Sequence, residues 1–342
     1  MATSIGCSPS SEHGNAEPDR PVLDNPAVQR LAADIAPGTT ATDLGGAFSL
    51  NALLEPAGLV LRVHQPDVTR RRLEAQQEVR RRLAGLGVCT PVPLVWQGST
   101  VLRCGGRWAE LERYIPHEMM PVAIESYPWL FRAMGDLHRT LDEIDVAVPR
   151  PAFSTYGPPG TLLRWLPLTE AAVRGNPAAM AVAHRLRQLL RQLSRQWVPA
   201  RDLPVRIVHG DGKLRNVVRG VDGRTVYLDF GFMAVRPRIH ELGYALARML
   251  LSLGVGETTK SPEAFAWEQV PPMIREYEVA SGVVLTAQEW RALAPYAAGS
   301  CLFQAAMCWM LPDAIEAFCD DERRQLMTIA AWLLDHPESV SE

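Results

Sequence analysis

Val208-His209-Gly210-Asp211-Gly212-Lys213-Leu214-Arg215-Asn216-Val217-Val218, then Asp222-Gly223, then Val226-Tyr227-Leu228-Asp229-Phe230-Gly231, is the stretch from which the rest of the chain is read. Asp-Gly between two β-rich runs signals a hairpin, because both turn positions favour a positive φ. Counting outward from Asp222 and Gly223 sets Asn216 opposite Asp229, which predicts Cβ atoms about 5 Å apart. An amide oxygen and a carboxylate at that separation suit Mg²⁺, which takes one or two protein ligands plus phosphate oxygens and water. Asp211 stands in a loop entering the same end of the hairpin. A carboxylate there can orient a hydroxyl and accept its proton as it attacks phosphorus. Asp residues at strand ends often only cap turns. Two acids and an Asn brought together behind His-Gly and ahead of Phe-Gly favour the functional reading.

Outward from this island the chain changes character. Residues 1–25 are rich in Ser, Pro, Gly and acidic groups, and too poor in apolar positions to offset ordering entropy, which predicts a disordered tail. Two β-rich runs, 41–55 and 59–64, flank Pro56-Ala57-Gly58 as a second hairpin. From 68 to 86, Leu73, Gln76, Val79, Leu83 and Leu86 recur at helical spacing, so one polar residue, Gln76, points inward. Short strands are expected at 94–96, 101–104 and 108–114, and helices at 128–145, 178–197, 240–253, 263–281, 287–311 and 314–335. The fold class is therefore α+β, with a small β-rich N-lobe over 26–115 and a larger, mainly helical C-lobe over 116–342.

With 342 residues, 47% hydrophobic and 21% charged, the composition is that of a globular chain, and no apolar run reaches the roughly 20 residues of a membrane span. Six cysteines without metal or redox spacing, and no apolar leader, point to reduced thiols in the cytoplasm. A net charge of −3 gives no bulk attraction to nucleic acid or acidic lipid. Six arginines crowd the 68–86 helix (Arg70, Arg71, Arg72, Arg80, Arg81, Arg82); a solvated face is favoured there over an RNA-binding patch.

His209-Gly210-Asp211, four residues, Asn216, then Asp229-Phe230 after a hairpin resembles the motif of the aminoglycoside phosphotransferase and choline kinase family, which has a two-lobed protein-kinase-like fold. The resemblance implies a small-molecule kinase carrying nucleotide and Mg²⁺ between its lobes. Asp211 becomes its catalytic base or hydroxyl-orienting group, Asn216 and Asp229 its metal ligands, and His209 a brace of the catalytic loop. Lys213 stands where protein kinases place a lysine on the transferred phosphate, and a solvated lysine is the equal alternative. The run 44–51, with Gly45, Gly46 and Ser49, resembles the nucleotide-covering loop, in which paired glycines let backbone amides approach phosphate oxygens. Arg62 takes the place of the strand lysine that grips the phosphates. Gln76 takes the place of the helical Glu that orients that lysine, with Glu74 or Glu78 as substitutes if the helix is rotated. Glu112 and Tyr114 fall at the interlobe hinge that meets the purine. Leu137-His138 resembles a packing pair, and Glu241 replaces an Asp that braces the catalytic loop.

A protein kinase is excluded by context. About ten residues separate Asp229 from the next helix, no Ala-Pro-Glu follows, and no Gly-x-Gly-x-x-Gly precedes. The expected reaction is transfer of the γ-phosphoryl group of ATP or GTP to a hydroxyl of an antibiotic or similar small molecule. A metabolic amino-alcohol or homoserine-type kinase and a nucleotide-binding pseudokinase are the alternatives. The acids Asp313, Glu316, Asp320, Asp321 and Glu322 suit either a pocket for a cationic antibiotic or, preferably, a helix face and its cap. Trp290, Trp309, Met310 and Trp332 read as core rather than as a cation site. Arg236 and Arg238 offer charge for a carboxylate-bearing acceptor.

Overall fold

The computed structural model describes residues 20–152, 154–311 and 313–341. Residues 1–19, most of the expected tail, lie outside that set; Arg20, within it, pairs with Asp43 at 2.8 Å. The chain divides into two compact units, 1–67 with 94–112, and 68–93 with 113–342. Both lobes of the expected α+β architecture are present.

The first unit opens with α1 (Pro26–Ile35), a helix absent from the sequence-based expectation. Its signals are plain in retrospect: Asn25 accepts the Ala27 N–H as N-cap, Pro26 opens the first turn, and Val28, Leu31 and Ala32 form its buried face. Strands β1 (Thr40–Asp43), β2 (Leu50–Glu55), β3 (Leu59–Val63), β4 (Leu102–Cys104) and β5 (Arg107–Arg113) make one sheet in the order β1-β2-β3-β5-β4. Leu50, Ala52 and Leu54 alternate inward along β2 and meet Leu61, Val63, Ala109 and Leu111, with α1 packed on the same core. The expected 59–64 hairpin is β2 with β3, paired Asn51 to Arg62.

The second unit begins with α2 (Arg70–Gly85), the helix that sequence reasoning placed in the first lobe. Its apolar stripe explains the difference: Val79 and Leu83 belong to one core with Tyr127, Leu130 and Phe131. After β6 (His117–Glu118) come α3 (Tyr127–Leu141), α4 (Pro159–Ala172) and α5 (Pro177–Gln196). Helix α4 was not anticipated, because Pro167 interrupts its pattern. The strand-rich island is β7 (Val205–Val208), β8 (Val217–Gly220), β9 (Thr225–Tyr227) and β10 (Ala234–Pro237), with β10 on β7 and β8 between β6 and β9. Helices α6 (Arg238–Ser252), α7 (Val270–Ser281), α8 (Ala287–Ala306), α9 (Ala314–Cys319) and α10 (Asp321–Asp335) complete the unit. Asp320 splits the expected 314–335 helix by capping α10. Five described cysteines are unpaired thiols, and no helix among the described residues is long and apolar enough to cross a membrane.

Two corrections follow from burial. Arg72 and Arg80 are buried, so the arginine-rich helix is not a uniformly solvated face; Arg70 and Arg82 do lie outside, on Glu74 and Glu78. Arg238 is not available to an acceptor. Its Nε and Nη2 clasp the two oxygens of Glu289 at 2.5 and 2.8 Å, and Glu289 also closes the capping box of α8 with Thr286. Replacing Glu289 by Ala strands the buried Arg238 charge and removes the cap. It is expected to lower stability by about 3 kcal/mol or more in urea denaturation; a change within about 0.5 kcal/mol, the range of ordinary surface substitutions, would contradict this role.

Candidate active site

The hairpin that began the reading is real, but its register differs by one residue. Val217 pairs with Tyr227 and Val218 with Val226, so Asn216, not opposite Asp229, faces Leu228, whose N–H donates to the Asn216 carbonyl at 2.7 Å. The cause is the turn. Only Gly223 takes a positive φ, and 221–223 form a three-residue loop closed by Gly220 and Arg224 rather than the two-residue loop expected of Asp-Gly. Asp229 lies one position beyond the ladder in the left-handed region, φ 56° and ψ 67°, with its carboxylate accepting the Gly231 N–H at 3.3 Å. A non-glycine residue held there is strained, a feature that concentrates at functional sites.

Between β7 and β8 runs the loop of Asp211. Gly210 has φ 84°, and a Cβ there would stand 2.3 Å from the Phe232 carbonyl oxygen, so only glycine fits. Glu241 of α6 holds this loop from beneath: Oε2 accepts the His209 N–H at 2.7 Å and Oε1 the Gly210 N–H at 2.8 Å. His138 of α3 donates to the same carboxylate from Nε2 at 2.9 Å and accepts the Tyr277 hydroxyl at Nδ1, also at 2.9 Å. His138 is thus a buried hydrogen-bonding bridge, not the packing residue expected. Burial pushes its pKa down against the pull of Glu241, which keeps the imidazole neutral. Burial acts to raise the Glu241 pKa, but the His138 hydrogen bond and the neighbouring imidazoles outweigh it and bring it down to about 2. From a third side Thr155 donates to the Gly210 carbonyl.

His209 does brace the loop. Its ring nitrogens join the Asp211 N–H, at 3.3 Å, to the Leu228 carbonyl, at 2.8 Å, and its ring leans on Phe230. The loop and the strand leading to Asp229 are therefore one hydrogen-bonded piece.

Both carboxylate oxygens of Asp211 accept from side chains, three contacts that leave lone-pair capacity over, and the residue is only 3% exposed. Asn216 Nδ2 donates to Oδ2 at 2.7 Å and to the Asp211 carbonyl at 2.9 Å, which commits the amide nitrogen and leaves Oδ1 of Asn216 as the group able to ligate a cation. Lys213 Nζ lies 2.9 Å from Oδ2 and is about 29% exposed, an ion pair with the Asp211 carboxylate rather than a fully solvated lysine. The Tyr244 hydroxyl donates to Oδ1. Burial first, then the Asp211 charge, pushes the Tyr244 pKa well up, so the phenol remains a donor. Tyr244 was missed in the sequence. The available signal was its position one turn after Glu241 on a helix already assigned to the loop.

Among the described residues no three His, Cys, Asp or Glu side chains gather as a metal cluster. A site built from Asn216 and Asp229 needs none, since Mg²⁺ keeps water and phosphate oxygens as its remaining ligands. Gln76 is buried, and its Nε2 donates to the Phe230 and Gly231 carbonyls at 3.1 Å each, while Arg72 donates to the Gly231 and Met233 carbonyls. The inward amide thus holds the segment after Asp229. Glu74 is committed to Arg70 and Glu78 to Arg81 and Arg82 on the helix surface, which removes both as substitutes.

In the first unit, Gly45 and Gly46 have φ of 86° and 120° in the loop between β1 and β2, held by Asn51 Nδ2 on the Gly45 carbonyl at 2.8 Å. Ser49 and Arg62 are buried, Arg62 on β3. Glu112, buried at the end of β5, closes the first unit along the chain, and Tyr114 follows just inside the second.

A model described as "Phosphotransferase enzyme family" matches residues 44–296. Among solved structures, a microcompartment-associated aminopropanol kinase superposes with a TM-score of 0.69 at 14% identity, covering 92% of this chain and 99% of that one. A spectinomycin phosphotransferase in complex with ADP and spectinomycin gives 0.54 at 13% identity, covering 89% and 98%. The GDP complex of an aminoglycoside 2′-phosphotransferase gives 0.54 at 14%, covering 90% and 98%. No curated protein matches the chain significantly. At these identities the likeness to the solved structures is one of fold.

Two predictions test this geometry. Because the Glu241 pKa is lowered from 4.5 to about 2, the unfolded chain takes up the proton first as pH falls. Its stabilisation is complete above about pH 4.5 and lost toward about pH 2. Glu241→Gln should therefore be less stable than the parent near neutral pH, by roughly 3 kcal/mol. Urea titrations should show that gap closing toward about pH 2; a gap independent of pH would contradict the assignment. Tyr244→Phe should lower kcat about tenfold or more by freeing the Asp211 carboxylate, with little change in KM for nucleotide. Unaltered kcat would remove Tyr244 from the site.

Proposed function

The chain belongs to the phosphotransferase enzyme family and is a phosphotransferase acting on an alcohol group; on that premise we propose that it transfers the γ-phosphoryl group of ATP or GTP directly to a hydroxyl of a small molecule. What carries the reading is the Asp211 carboxylate, fixed by Tyr244, Lys213 and Asn216 in a loop that Glu241 clamps by its backbone. Positioning and charge are most of what phosphoryl transfer asks of a protein.

Asp211 orients the acceptor hydroxyl and receives its proton as the hydroxyl oxygen bonds to the γ-phosphorus. The bond from that phosphorus to the bridging oxygen breaks, and nucleoside diphosphate departs. No phosphoenzyme forms. Lys213, paired with Asp211 and about 29% exposed, offsets charge on the transferred group. Asn216 Oδ1 and the Asp229 carboxylate would hold Mg²⁺, which would supply neutralisation of phosphate charge. In the first unit Gly45, Gly46, Ser49 and Arg62 are assigned to the phosphates, and Glu112 with Tyr114 to the base. Gln76 acts indirectly, by fixing the carbonyls that follow Asp229.

Of the acids that suit either a pocket for a cationic antibiotic or, preferably, a helix face and its cap, three are paired within the protein. Asp320 caps α10 and pairs with Arg323, Asp321 pairs with Arg324, and Glu322 faces Arg248. That arrangement supports the helix-face reading of these residues and favours a metabolic acceptor over a polycation.

With γ-labelled ATP or GTP, Asp211→Asn should lower kcat by about 10² to 10⁴ while nucleotide affinity stays close to that of the parent. Parental turnover in this variant would reject Asp211 as the base.

A further inference from the structure

Helix α6 turns one face to the catalytic loop. Glu241 on that face takes the loop's backbone, and Tyr244, three residues on, takes the Asp211 carboxylate. Four residues further along the same face stands Arg248, adjacent to Tyr244 on the helix surface. Its guanidinium is only half used. Nη1 lies 3.6 Å from Glu322 Oε1 and, with the Gln304 amide turned to suit both neighbours, 3.0 Å from Gln304 Oε1. Nε and Nη2 have no protein acceptor among the described residues, and the side chain is 26% exposed.

That unused edge is the same pair of nitrogens with which Arg238 of this helix grips both oxygens of Glu289. Side by side, Nε–H and Nη2–H match the two oxygens of a carboxylate. Burial acts to lower the Arg248 pKa, but Tyr244, Glu322 and Asp211 outweigh it and hold the guanidinium protonated. The geometry points to Arg248 as the residue that selects the acceptor: a small hydroxy carboxylate, its hydroxyl at Asp211 and its carboxylate on the Nε and Nη2 edge of Arg248. Glu322 at the other edge disfavours a doubly charged phosphate monoester. Cationic acceptors lacking a carboxylate meet an arginine one helical turn beyond Tyr244, the residue that holds the base.

This inference rests on the phosphotransferase reading above, and its failure is separable from the failure of that reading. The experiment pairs acceptors that differ by a carboxylate: L-homoserine against 3-aminopropan-1-ol, and L-serine against ethanolamine, with D-glycerate, glycerol 3-phosphate, choline and kanamycin alongside. Each is tested for transfer from γ-labelled ATP and GTP and for thermal stabilisation of the full chain with Mg²⁺ and a non-hydrolysable nucleotide. The parent should accept, or be stabilised by, carboxylate members at least about tenfold more effectively than their decarboxylated counterparts. Arg248→Gln should lose about 100-fold in kcat/KM on them, mostly in KM, and Arg248→Lys should recover only part, since lysine keeps charge without the planar edge. Preference for the amino alcohols, choline, kanamycin or the phosphate monoester would overturn the proposal, as would an unaltered Arg248→Gln or a parent that responds to no carboxylate. Magnesium-dependent nucleotide stabilisation, and slow nucleotide hydrolysis lost in Asp211→Asn, report on the kinase reading whatever the acceptor panel gives.

Discussion

A buried carboxylate that accepts two successive backbone N–H groups leaves a loop almost no freedom, and Glu241 does this to His209 and Gly210. The cost of burying its charge is met by four donors' worth of geometry: the two amides, His138, and behind His138 the Tyr277 hydroxyl. The placement of Asp211 depends on that point. Gly210 can take its left-handed turn under the Phe232 carbonyl only because it lacks a Cβ, and Asp211 then emerges where Tyr244, from the same helix as Glu241, can meet it. One helix face thus fixes both the backbone leading into Asp211 and the Asp211 side chain. A longer carboxylate than the family's usual Asp still makes both contacts.

The same economy ties the strand after the hairpin to its surroundings. His209 links the Asp211 amide to the Leu228 carbonyl, while Gln76 and Arg72 of α2 collect the carbonyls of Phe230, Gly231 and Met233. Asp229 sits between these anchors in a strained left-handed conformation, held by neighbours rather than by local preference. The neutral Gln76 is well suited to its observed task, since an amide N–H₂ donates to carbonyls as a carboxylate cannot.

The class of fold and the meeting of Asp211 with Asn216 were legible because they depend on local signals: β-rich runs around Asp222-Gly223, helical spacing at Leu73, Val79 and Leu83, and polar groups at fixed separations. The hairpin register was not, because Asp-Gly serves both a two-residue loop and a three-residue loop with glycine in the left-handed position, and only the packed structure distinguishes them. Burial of Arg72, Arg80 and Arg238 was equally hidden. Sequence shows their charge but not their partners: the Met233 carbonyl and the Glu289 carboxylate, both far along the chain, for Arg72 and Arg238, and the Pro91 carbonyl beyond the end of α2 for Arg80. Tyr244 and Arg248 lay within reach of a reading that followed the Glu241 face of α6 by threes and fours. Assigning α2 to a lobe required knowing what its apolar stripe meets, which is tertiary information.

The account's central claim is that Asn216 and Asp229 present oxygen ligands beside Asp211, despite the shifted register. Crystals grown with Mn²⁺ and a non-hydrolysable ATP or GTP analogue locate the cation directly by anomalous scattering. The account predicts a peak about 2.1 to 2.3 Å from Asn216 Oδ1 and from an Asp229 carboxylate oxygen, with phosphate oxygens completing the shell. A nucleotide-bound cation that touches neither residue would contradict it.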